Sequence, residues 1–161
     1  MPISQVAINA SPLIVLFKSG QSDLLPKLFE TIIIPQAVYN EITAVKSDVA
    51  ATQLPTATWY SQTAVQIDPA IVAWDLGAGE SAVLSFALAN PAYRAMVDDT
   101  AARRCARALG IATLGTGGAI VLAKRRGLIP SVSAPLQQLK EAGLWLSDDV
   151  VHLLKQQAGE A

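Results

Sequence analysis

The sequence has very few residues of the kinds that form cross-links or bind soft metals. Among 161 residues there is one cysteine, Cys105, and one histidine, His152. A single cysteine excludes an internal disulfide framework and suits a reducing cytoplasm. His152 has no ligand partner at metal-binding spacing. Cys105 lies in a predicted helix and is interpreted as a small buried hydrophobe rather than a nucleophile.

Charged residues are also scarce, at 16 %, whereas 52 % of residues are apolar. This composition predicts a compact core and argues against disorder. No apolar run reaches the roughly 18 residues of a membrane span, and no signal-peptide pattern opens the chain. The net charge of −1 does not decide the partner. The length and the absence of a linker predict one domain, residues 1–161.

Short apolar strands alternate with helical segments along the chain. Each predicted strand is followed by a helix with its own start and stop signals. This alternation predicts an α/β fold, a three-layer α/β/α arrangement with a central, mainly parallel sheet of four or five strands. The predicted strands are 5–8, 31–34, 93–97 and 111–114, with a small fifth strand at 64–67.

Polar and acidic residues follow the ends of these strands and the starts of the helices. Asn9 directly follows the first strand, and Ser11 before Pro12 marks a helix start. In an open parallel sheet, ligands bind outside the carboxyl ends of the strands. We therefore expect a site beside Asn9. The acids that the chain brings towards it are Glu41, Glu80, Asp98 and Asp99.

Grouped carboxylates without histidine or cysteine partners favour a hard cation, Mg or Mn, bound through oxygen. Two such ions can activate water and stabilise the leaving oxygen in phosphodiester cleavage. Each acid also has a structural interpretation. The two aspartates can cap the following helix, Glu80 can sit on a helix dipole, and Glu41 can be solvated. The ordered set favours the functional interpretation.

The same segments resemble the PIN domain, the nuclease fold of the toxins in VapBC-type toxin–antitoxin pairs. The resemblance is stronger to a PIN-like subgroup widespread in bacteria and archaea, and it covers nearly the whole chain. A single segment is weak support, but the ordered set is fairly specific. The segments that carry it are 9–14, 34–42, 76–82, 97–99 with Arg103, 115–118 and 123–130.

The resemblance implies four metal-binding positions and a catalytic acid set. Asn9, Glu41 and Glu80 match the first three positions, and Asp98 or Asp99 matches the last, with Asp98 favoured. Asn9 stands where the family pattern has an acid, and its uncharged amide lowers the expected metal affinity. The implied activity is metal-dependent endoribonuclease, including a toxin role with a cognate antitoxin and a homodimeric state. The alternative is a catalytically weak or inactive PIN-like protein that binds RNA or another protein.

Several residues outside the acid set are candidates for contacting RNA. Arg103 and Arg107 share one helix face, which suits RNA phosphates. The hydroxyls of Ser11 and Thr116 are candidates near the metal, and local capping explains each equally well. Residues 124–126 end a helix, where cations suit the helix dipole, so a structural role is favoured there.

Overall fold

The computed structural model describes residues 3–160. Within that range, five β-strands alternate with ten α-helices, and a short 3₁₀ turn occupies Leu54–Thr56. The strands are β1 Gln5–Ile8, β2 Thr31–Pro35, β3 Ser61–Thr63, β4 Arg94–Met96 and β5 Thr113–Leu114. The helices are α1 Ala10–Lys18, α2 Leu24–Leu28, α3 Gln36–Ala44, α4 Val49–Gln53, α5 Pro69–Val72, α6 Ala78–Ala89, α7 Thr100–Leu109, α8 Thr116–Arg125, α9 Ser133–Glu141 and α10 Asp148–Gln157.

The five strands form one sheet in the order β3-β2-β1-β4-β5. Every pair of neighbouring strands is parallel. Helices flank the sheet, which confirms the predicted three-layer α/β/α fold. Consecutive parallel strands need crossover connections, and the helices between them supply these connections.

The position of one strand was predicted wrongly. We expected the fifth strand at 64–67, but the paired strand is Ser61–Thr63, alongside Ile33, Ile34 and Pro35 of β2. The alternating pattern at 64–67 has another cause, because Ile67 packs against the core without joining the sheet. Apolar alternation reports which side chains are buried, and it does not report backbone pairing.

The centre of the sheet is the most deeply buried part of the molecule. Val6, Ala7 and Ile8 of β1 are fully buried, as expected for a strand covered on both faces. Helix α6 packs across β1, β2 and β4 and buries residues on most of its circumference. Helix α6 is therefore central to the fold.

The strand register brings the ends of β1 and β4 to the same edge of the sheet. Ile8 is paired with Met96, and the backbone N–H of Asn9 donates to the Met96 carbonyl at 3.1 Å. Asn9 therefore lies next to the segment that leads into Asp98 and Asp99. The carboxyl edge of the two central strands carries the residues that the sequence singled out.

The C-terminal helix α10 is anchored on α8. A Cβ added at Gly117 would lie 2.7 Å from Leu154 Cδ1, so a larger residue at position 117 would displace the Leu154 side chain. Lys124 Nζ contacts Glu160 at 3.0 Å, and the Arg125 guanidinium donates to the Gln157 carbonyl at 2.6 and 2.9 Å. Among residues 3–160, no helix combines the length and apolarity needed to cross a membrane.

Candidate metal centre

Asn9 places a buried side-chain amide at the carboxyl ends of the sheet strands. It is the residue before α1, and its side chain makes no capping hydrogen bond to that helix. The residue is only 5 % exposed. Its Oδ1 lies 3.2 Å from the point where a Cβ on Gly79 would stand. The amide oxygen of Asn9 is thus directed towards the start of α6, where Glu80 lies.

Gly79 allows three elements to meet at this point. The same added Cβ would lie 3.3 Å from Val38 Cγ2 and 3.6 Å from Glu41 Oε1, both on α3. A side chain at position 79 would push against these atoms. Two oxygens close to one point are close to each other, so Asn9 Oδ1 and Glu41 Oε1 flank the same small space. Glu41 is itself exposed to solvent.

Glu80 is half-buried in the first turn of α6, and its buried Oε2 has no hydrogen-bond partner in the part of the chain that the structure describes. Burial raises the pKa of this carboxyl above its ordinary value, and the negative charges of Asp99 and Glu41 raise the pKa further. When protonated, Glu80 can donate a hydrogen bond to Asp99. Glu41, Glu80 and Asp99 therefore form one electrostatically coupled group.

The two consecutive aspartates after β4 have different surroundings. Asp99 precedes α7, and one of its oxygens accepts a hydrogen bond from the backbone N–H of Ala102 at 3.0 Å. Its carboxylate also faces Glu80. Asp99 thus combines the capping role considered from the sequence with a place in the acid group. Of the two aspartates, Asp99 is the one that faces Glu80.

Asp98 is engaged by the turn between β5 and α8. The backbone N–H of Thr116 donates to one Asp98 oxygen at 2.8 Å, and the Thr116 hydroxyl donates to the other at 2.5 Å. Both carboxylate oxygens are thereby partnered by a single residue. Thr116, which is completely buried, holds Asp98 in place and is itself out of reach of solvent. Asp98 is the link between this turn and the acid group.

Arg103 folds back onto the same strand end. Its guanidinium donates to the Val97 carbonyl at 3.3 Å, and it lies beside Asp98 at the backbone of Gly115. Arg103 therefore has a local structural contact. Arg107, four residues later on α7, is exposed and is the freer of the two predicted RNA-contacting arginines.

The remaining candidates separate into a surface residue and a structural group. Ser11 is exposed in the first turn of α1 and lines one cavity together with Asp98 and Asp99. By contrast, Arg126 donates to the carbonyls of Leu28 and Ile3 at 2.5 and 2.6 Å. With the anchoring contacts of Lys124 and Arg125, this confirms the structural interpretation of residues 124–126.

The donors at this edge are all oxygens, which suits a hard divalent cation. No set of three or more histidine, cysteine, aspartate or glutamate side chains in the described chain converges closely enough to enclose a metal by itself. Magnesium commonly keeps several waters and uses only one or two protein carboxylates. The unpartnered Glu80 Oε2, close to Asp99 and Glu41, fits that mode of binding.

Two features of the site were not predicted from the sequence. Gly79 was not among the candidate site residues, although its missing side chain lets Asn9 and Glu41 approach α6. The cavity beside the aspartates is also lined by Trp145, which lies outside the segments that carry the family resemblance. Neither feature has a local signal, because both depend on residues that are distant along the chain.

Comparison with known proteins gives one match, to a family profile. No curated protein and no solved structure shows significant similarity to the chain. The family profile described as PIN domain matches residues 5–160. This match spans β1 to the end of the described chain and includes every residue of the acid group. The chain therefore belongs to the PIN domain family and has its nuclease-type fold.

Proposed function

We propose that this protein is a metal-dependent endoribonuclease whose acid group is formed by Glu41, Glu80 and Asp99 beside Asn9. One observation carries the proposal. The Glu80 carboxyl is half-buried with an unpartnered oxygen and two other acids nearby. Such a cluster is destabilising in isolation because each ionised acid repels the others. A bound cation would remove that penalty.

Magnesium or manganese is the proposed cofactor because the site offers only oxygen donors. Bound there, a divalent cation would neutralise the carboxylates and lower the pKa of a coordinated water. Glu80 and Asp99 would provide negatively charged oxygens, and Asn9 would provide a neutral amide oxygen. The exposed carboxylate of Glu41 would complete the set from α3.

The residues around the acid group would position the substrate and the group itself. Asp98, held by Thr116 through two hydrogen bonds, would fix the loop from which Asp99 projects. Arg107 would attract RNA phosphates from the exposed face of α7. The guanidinium of Arg103 would do so only with the donors that its hydrogen bond to the Val97 carbonyl leaves free. Ser11 would offer a hydroxyl at the mouth of the cavity shared with Asp98 and Asp99.

The test is cleavage of RNA by the purified protein with manganese, compared with its Glu80→Gln variant. Glutamine keeps the size of the side chain and removes its charge. We expect manganese-dependent cleavage by the parent and a loss of roughly a hundredfold or more in the variant. Glu30→Gln is the matched control, because Glu30 is exposed and precedes β2 at the opposite edge of the sheet. Equal cleavage by parent and Glu80→Gln would remove Glu80 from the mechanism.

A second candidate function follows from Asn9. Because its amide carries no charge, the site has one negative charge fewer than a site with an acid at that position. The protein would then keep the fold for binding RNA or another protein, with weak or no catalysis. Titration calorimetry with manganese separates the two functions. Tight binding that Glu80→Gln abolishes supports the enzyme, and binding that appears only after Asn9→Asp supports the inactive protein.

The toxin role, a cognate antitoxin, a homodimer and a cytoplasmic location are further parts of the proposal. Exposed apolar side chains at Val72, Leu153 and Val45, exposed by 61 %, 51 % and 49 %, are candidates for covered surfaces in a dimer or a complex. A short open reading frame next to this gene would favour the toxin role. Sedimentation equilibrium of the purified chain tests the homodimer, and a monomer at micromolar concentration would contradict it.

A further inference from the structure

A cavity of about 470 Å³ opens beside the acid group. One part of its wall is formed by Ser11 and Ile14 of α1, and another by Asp98 and Asp99 after β4. The loop between α9 and α10 forms the rest of the wall with residues that include Leu144 and Trp145. A volume of this size lies within the range of small-molecule sites, which is about 300–1,000 Å³. The cavity therefore has room for one nucleoside next to the proposed cleavage site.

Trp145 is the most exposed large apolar side chain of the described chain, with 83 % of its surface accessible. Trp59, by contrast, packs against other aromatic rings. Trp59 stacks with Phe17 at a centroid separation of 6.3 Å and contacts the edge of Tyr60 at 5.5 Å. Trp145 makes no aromatic pair within residues 3–160. Its indole ring is thus available to a planar ligand.

The charges of the cavity indicate which part of an RNA strand it would accept. Among residues 3–160, the only charged residues that line it are Asp98 and Asp99, and no lysine or arginine does. A phosphate placed there would meet negative charge only, whereas an uncharged base would not. Ile14 and Leu144 add apolar surface, and the Ser11 hydroxyl adds a hydrogen-bonding group. These properties fit a nucleobase.

We infer that Trp145 stacks on an unpaired nucleobase of the RNA, with the base in this cavity and the adjoining phosphate at the acid group. The inference rests on the proposed function, because it takes RNA as the substrate. It goes further in assigning a base-binding subsite and the side chain that forms it. A base that enters the cavity must leave its own stack, so single-stranded segments are selected over duplex. The stacking energy is tolerant of base identity, because every base has an aromatic face.

The test measures binding of a fluorescently labelled single-stranded RNA hexamer with phosphorothioate linkages, which resist hydrolysis, in the presence of magnesium. Stacking on one aromatic side chain changes affinity by roughly 5- to 150-fold. We expect Trp145→Ala to weaken binding at least about tenfold and Trp145→Phe to retain most of it. A duplex of the same sequence should bind the parent and Trp145→Ala equally. Trp74→Ala is the matched control, because Trp74 is 39 % exposed and lies outside the cavity.

Three results would overturn the inference. The first is unchanged hexamer binding by Trp145→Ala, and the second is an equal loss for duplex and single strand. The third is a change from dimer to monomer in Trp145→Ala with unchanged RNA affinity, which would show that a second copy covers the ring. Thermal unfolding checks that Trp145→Ala is folded, as expected for a residue exposed by 83 %.

Failure of this inference is distinguishable from failure of the proposed function. Manganese-dependent cleavage together with Trp145-independent binding would reject the base site alone. Trp145-dependent binding of single strands without any cleavage would reject the nuclease and keep the base site. The two measurements use different variants, Glu80→Gln and Trp145→Ala, and different readouts.

Discussion

Replacing Asn9 by aspartate tests the electrostatics of the site most directly. The Asn9→Asp variant has almost the same shape and adds one carboxylate to a position that is 5 % exposed. The new charge would stand near Glu41 and Glu80. We expect the metal-free variant to be less stable than the parent at neutral pH, and we expect manganese to stabilise the variant more than the parent.

The size of the effect follows from the separation of the oxygens. Asn9 Oδ1 and Glu41 Oε1 lie 3.2 and 3.6 Å from one point, so they are no farther apart than the sum of these distances. At about 7 Å, two unit charges repel by about 2 kcal/mol at an effective dielectric constant of about 20, and by about 0.6 kcal/mol in bulk water. Because Glu41 is exposed, we expect a repulsion of about 1 kcal/mol, to which burial of the new aspartate adds.

The pH dependence has a defined sign. Burial and the neighbouring acids would raise the folded-state pKa of the new aspartate above its unfolded value of about 3.9. The variant is then as stable as the parent below that pH, and its free energy of unfolding falls relative to the parent as the pH rises through the folded-state pKa. The same direction applies to Glu80, whose pKa is raised.

The assay is urea unfolding from pH 4 to pH 8, with EDTA and with manganese. Asn40→Asp is the control, because it makes the same change at an exposed position on α3 and neighbouring residues on a helix do not face each other. If Asn9→Asp and Asn40→Asp show the same pH profile and the same response to manganese, Asn9 does not belong to a common acidic site.

Three further predictions test the supporting contacts. Gly79→Ala places a Cβ 3.2 Å from Asn9 Oδ1 and 3.6 Å from Glu41 Oε1. We expect the manganese affinity measured by calorimetry to fall roughly tenfold, because the added methyl group displaces the ligands. Unchanged affinity would contradict the role of this close approach. Thr116→Val removes the hydroxyl that donates to Asp98 at 2.5 Å, and should lower the free energy of unfolding by about 2 kcal/mol; Thr116→Ser, which keeps the donor, should lose less in the same urea titration. Ser131, the backbone N–H of Val132 and Lys124 hold the pKa of Glu160 at about 2, so its contribution to stability is present above its unfolded pKa of about 4.3 and is lost as the pH falls through about 2. Unfolding of Glu160→Gln should therefore differ from that of the parent at pH 7 and match it near pH 2, and a difference that persists at pH 2 would argue against this anchor.

The secondary structure near the site was largely readable from local sequence. The apolar runs at 5–8 and 31–34 and the proline and glycine stops around them predict strands followed by helices, and the structure has these elements. Burial on both faces makes such strands continuously apolar, which is a strong local signal. The predicted strand position at 64–67 was wrong because the pairing of β3 depends on β2, a partner almost thirty residues earlier.

The choice between Asp98 and Asp99 shows the limit of local reasoning. Adjacent residues at the end of a strand point in different directions, and the sequence contains nothing that fixes which one faces α6. The decision comes from Thr116, which takes both oxygens of Asp98 and leaves Asp99 facing Glu80. A contact between positions eighteen residues apart therefore decides which of the two aspartates faces Glu80.

The sequence by itself determined the order of strands and helices, the family resemblance and the identity of the acids, because these depend on periodicity and on residue type. The tertiary structure decided which acids lie close together and which atoms would crowd a side chain at position 79. It also decided that Trp145 shares a cavity with Asp98 and Asp99. Those facts depend on the separation of atoms far apart along the chain. Only packing the helices against the sheet fixes such separations.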